Sequence, residues 1–245
     1  VGIPVLGCPC AVCLSRDPKN RRLRSSGILT WEGRRFLFDA GPDYRQQGLR
    51  FQITELAGVI ITHTHYDHIA GFDDLKVYYT LQKQPLACLL AYYSYEDLKH
   101  KISHWISLLD ENPSKEGKFQ FQIMERGSNE AWFKGLRWRT VTYEQSGMKV
   151  TGYRLENFAY LIDVVHFNEE LLSFLKGIDT LILSAGKIKS SSAHPSIEET
   201  LSFASQVEAK KIWLSHISHE LDHATISQLV PNNVSLAYDG LTIPC

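Results

Sequence analysis

The run His63-Thr64-His65-Tyr66-Asp67-His68 places three imidazoles and a carboxylate within six residues. Imidazole nitrogen and carboxylate oxygen are ligands of borderline divalent ions such as zinc, so the run points to a metal site. Upstream, Leu56 to Thr62 is short, largely apolar and rich in β-branched residues, the pattern of a strand buried on both faces. Downstream, Leu75, Tyr78, Tyr79 and Leu81 recur at near-helical spacing. The cluster therefore falls on a strand-to-helix turn, where open coordination positions can be held. One histidine in such a place is ordinarily a satisfied core or surface residue. Three with an acid among them, directly after a buried strand, point instead to an ion.

A second group of ligand-type residues lies near the start. Cys8, Cys10 and Cys13 are close enough to share one tetrahedral ion, which needs a fourth ligand from elsewhere. Five cysteines, an odd number with three crowded together, do not resemble a disulfide framework, so a reducing, cytoplasmic setting is expected. The sequence opens at Val1 rather than methionine, which leaves a processed or missing start open. A chain of 245 residues without a low-complexity linker is expected to form a single domain over 1–245, with a structural zinc loop at about 8–13. No apolar run approaches the ~20 residues of a membrane span. The formal net charge of −1 gives no overall attraction to nucleic acid or anionic membrane. Arg16, Lys19, Arg21, Arg22 and Arg24 form the one local basic stretch and read as a solvated face or a contact for an anionic substrate.

Along the chain, Ser26 to Trp31 and Arg35 to Phe38 read as strands joined at Glu32-Gly33. Asp39-Ala40-Gly41-Pro42 ends the second and reads as an ordinary turn, although its Asp-x-Gly also resembles a turn that supports the metal centre in a known hydrolase superfamily. Pro85 to Ala91 reads as another buried strand. Ser94 is expected to begin a helix with Asp97 in a capping box, its apolar face formed by Leu98, Ile102, Trp105, Ile106 and Leu109. His100 and His104 on that helix have no accompanying acid and read as surface residues. Asn112 to Gly117 reads as loop and Phe119 to Ile123 as a half-exposed strand. Further strands are expected at Trp138 to Tyr143, Lys149 to Leu155, Ala159 to Asp163 and Thr180 to Leu183. Asp163 closes an apolar run and is well placed to bridge two cations. Ser196 and Glu199 form a capping box for a helix reaching about Val207, with His194 just before it. Lys211 to Ser215 is a strand delivering His216-Ile217-Ser218-His219. Strands followed by helices, with ligands at strand ends, imply an α/β protein with two packed sheets and helices outside.

These features resemble the metallo-β-lactamase superfamily, whose fold is a four-layered αββα sandwich. The thiol triplet, the histidine cluster, Asp163 and the His216 to His219 ending together resemble its PhnP-type phosphodiesterases, over the whole chain. The resemblance implies one ion on Asp67, His68, Asp163 and His216, and another on His63 and His65 that shares Asp163. It implies a structural zinc on Cys8, Cys10, Cys13 and His219, and His194 as the acid that protonates a leaving group, with Asp67 orienting the nucleophilic water. The pattern is broken between Val141 and Gly152, where relatives carry a further histidine and this chain has Thr142 to Met148, with Gln145 or Glu144 nearest the expected place. Ser184 and Ser196 also stand where relatives often have acids.

The implied function is a zinc- or manganese-dependent hydrolase of phosphodiesters, cyclic or nucleotide phosphates included, with one ion site weakened. The alternative is a degenerate metal-binding protein that keeps the old cleft for a ligand or partner. Iron-dependent oxidoreduction and β-lactam hydrolysis fit the residues less well. The expected partner is a small phosphate ester rather than nucleic acid or membrane, and a homodimer is expected by analogy alone.

Overall fold

The computed structural model describes residues 2–102, 117–191 and 193–244, and divides into two units, each built on a sheet. One unit is Ser25–Arg137. The other joins Val1–Arg24 to Trp138–Cys245.

In the Ser25–Arg137 unit the strands β1 (Gly27–Trp31), β2 (Arg34–Phe38), β3 (Gly58–Ile61), β4 (Leu86–Ala91) and β5 (Phe119–Met124) lie side by side in chain order. β1 and β2 are antiparallel, and every later pairing is parallel. The hairpin turn is the expected one. Glu32 and Gly33 both take positive φ, 48° and 73°, as a two-residue turn matched to strand twist requires. β3 and β4 are buried at every position, which is why their sequences are unbroken apolar runs rather than alternations. Leu37, Val59, Ile61, Leu90 and Phe72 share one core, each buried aliphatic side chain contributing about 1.5–3 kcal/mol. A further strand, β6 (Glu130–Phe133), was not expected from the sequence; its Phe133 packs 6.1 Å from the Phe36 ring.

The helix expected from Ser94 starts earlier. It spans Tyr92–Lys101 and follows β4 without a loop, Ala91 holding the extended cap conformation. Ser94 is therefore a buried residue inside the helix, and Asp97 closes no capping box. Trp105, Ile106, Leu109 and His104 lie outside the described residues, as does the loop from Asn112 up to Gly117.

In the other unit, β7 (Leu136–Gln145, entering at Trp138), β8 (Met148–Leu155), β9 (Phe158–Leu161), β10 (Thr180–Gly186), β11 (Lys211–Ile217) and β12 (Val234–Leu236) follow one another across the sheet. β7, β8 and β9 are antiparallel; β9 to β12 are parallel. The helix Ile197–Ala204 carries the expected capping box, with Ser196 N–H donating to Glu199 Oε2 at 2.7 Å and Glu199 N–H to Ser196 Oγ at 3.1 Å. The basic stretch is not one solvated face. Arg22 is buried, exchanges backbone bonds with Ile3 and donates to Ala237 O at 3.2 Å and His223 Nδ1 at 2.8 Å. Burial draws its guanidinium down to about 10, against the opposing pull of Asp239, Asp17 and Asp222. Among the described residues no helix is long and apolar enough to cross a membrane.

In both sheets the residues that the sequence singled out leave the carboxyl ends of strands in the parallel part, the edge at which open α/β sheets place ligands. Close backbone contacts hold that edge in the Ser25–Arg137 unit. Ala40 N–H donates to His68 O at 2.7 Å and Gly71 N–H to Ala40 O at 2.9 Å. A Cβ on Gly71 would sit 2.0 Å from Gly41 O. Replacing Gly71 by Ala is expected to cost about 3 kcal/mol, read as a lower chemical-denaturation midpoint, because backbone rather than a movable side chain must give way.

Candidate metal centre

The first ligand group is organised by a carboxylate. Asp39 follows β2, takes φ 57° and is fully buried. It accepts three bonds, from Thr62 N–H at 2.8 Å, Thr62 Oγ1 at 2.7 Å and His68 Nδ1 at 2.8 Å. These assign the ring protons. His68 carries its proton on Nδ1, toward Asp39, which leaves the Nε2 lone pair available to an ion. Thr62 gives its hydroxyl proton to Asp39 and so accepts from His63 Nδ1 at 3.0 Å, which likewise leaves a lone pair on His63 Nε2. His63 Nε2 lies 2.9 Å from His65 Nδ1, the two rings edge to face at 86°. The His63 and His68 ring centroids are 4.2 Å apart, and Asp67 Oδ2 is 3.9 Å from His68 Nε2. His63, His65, Asp67 and His68 thus converge within one unit. Nitrogens already stripped of their protons on one side suit a divalent cation.

A second group forms in the other unit. Asp163, two residues past the end of β9, takes φ 60°, and His216 near the end of β11 takes φ 50°, so both ligand-type residues hold a left-handed backbone that few non-glycine residues adopt. His216 Nε2 is 3.5 Å and His194 Nδ1 3.9 Å from Asp163 Oδ1. The ligand atoms of Asp163, His194 and His216 lie within 4.8 Å of one another. His194 rides on a loop pinned at several points: its N–H donates to Ser191 Oγ at 3.1 Å, Ser191 N–H donates to its carbonyl at 2.8 Å, and Lys187 N–H reaches Pro195 O at 3.0 Å. Gly186, at φ 74°, lets that loop close, since a Cβ there would meet Pro195 O at 2.2 Å. Burial lowers His194 to about 4 despite the opposing Asp163, so the imidazole is neutral at pH 7. Ser196 is engaged in the helix cap rather than with His194, and Ser184 is buried within β10.

Strand alternation separates the two residues in the interrupted stretch. Glu144 is exposed, whereas Gln145 is buried and donates Nε2–H to Ala193 O at 2.7 Å, beside His194. That bond fixes the amide orientation, and among the described residues no donor reaches its buried Oε1.

The thiol group is the most sharply defined. Cys8, Cys10 and Cys13 place Sγ at 3.5, 3.5 and 3.7 Å from His219 Nδ1. A tetrahedral zinc with bonds of about 2.3 Å to sulfur and 2.0–2.1 Å to nitrogen has S–N edges of about 3.5 Å, so the four residues fit such an ion. Cys10 Sγ accepts from Cys13 N–H at 3.4 Å and Cys13 Sγ from Val5 N–H at 3.3 Å, bonds that favour thiolate. The Cys13 N–H and then His219 draw the Cys10 thiol down to about 6, whereas burial pushes Cys13 up.

Sequence reasoning missed Thr62, and left Asp39 undecided between turn and support. It also missed Asp97 and Lys101, which reach Thr64 between two histidines. His100 is exposed, as expected.

Residues 34–217 match the family described as the Beta-lactamase superfamily domain. The chain belongs to the metallo-β-lactamase superfamily of metal-dependent hydrolases, and has its αββα fold, as its sequence implied. It is similar to a diphosphatase of the PhnP family, with 30% identity and a TM-score of 0.88 over 100% of this chain and 93% of that one. Zn2+-bound PqqB from Methylobacterium extorquens shares the fold, with 17% identity and a TM-score of 0.75 over 100% and 96% of the two chains. The chain is also 28% identical over 244 residues to an octanoyltransferase of Porphyromonas gingivalis, covering 98% of this chain. It spans about half, 48%, of the length of that curated relative.

Asp39→Asn is expected to weaken divalent-ion binding by about 10–100-fold in a chelator competition, because an amide nitrogen facing His68 Nδ1 or Thr62 disturbs the proton assignment. Cys13→Ser is expected to lower zinc by one ion per chain and to destabilise the fold, as elemental mass spectrometry and thermal unfolding would report.

Proposed function

We propose that the chain hydrolyses phosphodiesters, using divalent ions bound through His63, His65, Asp67, His68, Asp163 and His216, while Cys8, Cys10, Cys13 and His219 hold a structural zinc. The observation that carries the reading is the proton assignment imposed by Asp39 and Thr62, which leaves Nε2 of both His63 and His68 as a lone-pair donor. A phosphoryl substrate is supported by the 30% identity to a PhnP-family diphosphatase, and its phosphodiester form by the resemblance to PhnP-type phosphodiesterases. Bound ions of this kind supply Lewis acidity toward phosphoryl oxygens and lower the pKa of water. Asp67, about a third exposed on its side chain, accepts a proton-bearing water and orients it. His194 is the candidate proton donor to the leaving oxygen. Because burial holds it neutral, it gains that proton only beside an anionic group such as a bound phosphate.

A second reading, a metal-binding protein without turnover, is favoured by one feature. Gln145 offers a neutral amide oxygen, a weaker ligand for a borderline ion than imidazole. A small cyclic or otherwise activated phosphate ester is the substrate class we assign if the activity is retained. Zinc and manganese are the candidate ions, and the cytoplasm is the proposed setting.

The test is hydrolysis of bis(p-nitrophenyl) phosphate with Zn2+ or Mn2+, together with ion counts. His68→Ala and His216→Ala are each expected to lower kcat/KM by about 100-fold or more and to release ion, while leaving the thiolate-bound zinc in place. Unchanged activity in both variants would overturn the hydrolase reading. No turnover in the native protein with either ion, alongside retained binding of a phosphate-bearing ligand, would establish the second reading instead.

A further inference from the structure

The helix Tyr92–Lys101 carries two ion pairs of different character. Glu96–Lys99, at 2.8 Å, stays on the helix surface. Asp97–Lys101, at 2.7 Å, reaches beyond it. Asp97 is as exposed as either member of the first pair, so what sets the second pair apart is its contacts and the more enclosed Lys101. Lys101 Nζ donates to the carbonyl of Thr64 at 2.6 Å, and the Thr64 hydroxyl donates to Asp97 in a short hydrogen bond. Thr64 is buried, so its peptide oxygen and its hydroxyl are both held from one helical turn. Lys101 Nζ also sits 5.2 Å over the Tyr66 ring, on the next ligand-flanking residue. Burial acts against the Asp97 charge, yet Lys101 and Thr64 together hold its carboxyl below the usual range.

We propose that Lys101 and Asp97 are positioning residues that clamp the loop His63-Thr64-His65 and so set the angle between its two imidazoles. The inference rests on the reading of those histidines as ion ligands. Thr64 is the residue between them, and fixing its peptide plane and side chain together leaves the backbone on either side little freedom to turn. The 2.9 Å approach of His63 Nε2 to His65 Nδ1 depends on that backbone. The pair's two charges cancel, so its effect on a nearby cation is geometric rather than a net attraction or repulsion. An exposed pair such as Glu96–Lys99 is worth little. The Asp97–Lys101 pair differs in that each member bonds the ligand loop, and outlying bonds of this kind typically change ion affinity by about 10–100-fold.

The experiment titrates the ion-free protein with Co2+. Near-ultraviolet thiolate absorption reports the cysteine site, and chelator competition reports the affinity of the remaining ions. Lys101→Met is expected to weaken histidine-site binding by at least about tenfold, Asp97→Asn by a smaller factor, and Lys101→Arg to restore most of it, with the thiolate band unchanged throughout. A lower unfolding midpoint in Lys101→Met with native ion affinity would show a role in folding alone and overturn the inference. His63→Ala separates the two readings. If it loses ion while Lys101→Met does not, the clamp fails and the metal site stands. If His63→Ala binds as the native protein does, the metal reading of this loop falls and the clamp falls with it.

Discussion

A carboxylate with no access to water organises the histidine cluster. A carboxylate buried in that position needs hydrogen-bond donors in place of water. The chain supplies three, two from Thr62 and one from His68. The same three bonds that stabilise the charge dictate which ring nitrogens bear protons. Electrostatic satisfaction and ligand preparation are therefore one arrangement. The arrangement in turn demands the left-handed backbone at Asp39 and the missing side chain at Gly71, because the turn must lie against the backbone of His68 and Gly71 for the bonds to form.

The thiol group answers a different need. The small core beside it contains Ile3, Val12 and Cys13, with Val5, Cys8 and Cys10 packed against it, too little apolar surface to hold an N-terminal segment in place unaided. Cys8 and His219 are separated by 211 positions, and a zinc joining them would close a loop of nearly the whole chain. Arg22 reinforces the same attachment by donating to Ala237 and His223 from its buried position. The N-terminal stretch is thus tied to the segment that follows β11 at its ligands and again at a buried cation.

Much of this was legible in the sequence where the determining contacts are local. The Glu32-Gly33 turn, the apolar runs of β3 and β4, and the Ser196–Glu199 box are specified by residues a few positions apart, and each formed as expected. The histidine cluster stood out for the same reason. Contacts between distant positions were not readable. Asp97 was read as a capping residue alone; it pairs with Lys101 four residues on, and its other partner, Thr64, lies 33 positions away. Asp39 was ambiguous because an Asp-x-Gly-Pro run suits an ordinary turn as well as the support of a metal site that the family resemblance implied. β6 is a four-residue strand without strict alternation, too short to separate from loop by pattern.

The choice between Glu144 and Gln145 was decidable in principle, because alternation along β7 sends Val141 and Gln145 inward and Glu144 outward. A carboxylate would be the better ligand for a borderline ion, but the inward residue is the amide. Among the described residues no donor reaches the Oε1 of this buried glutamine, an arrangement that costs about 1–3 kcal/mol, and its Nε2 is already committed to Ala193. An apolar residue of similar size would avoid that cost, so the acceptor is an expensive feature of the strand. A cation placed beside the oxygen would remove the cost, whereas a merely eroded position carries no such demand for a polar atom. The buried amide therefore keeps a polar acceptor beside His194, one that binds a borderline ion more weakly than an imidazole.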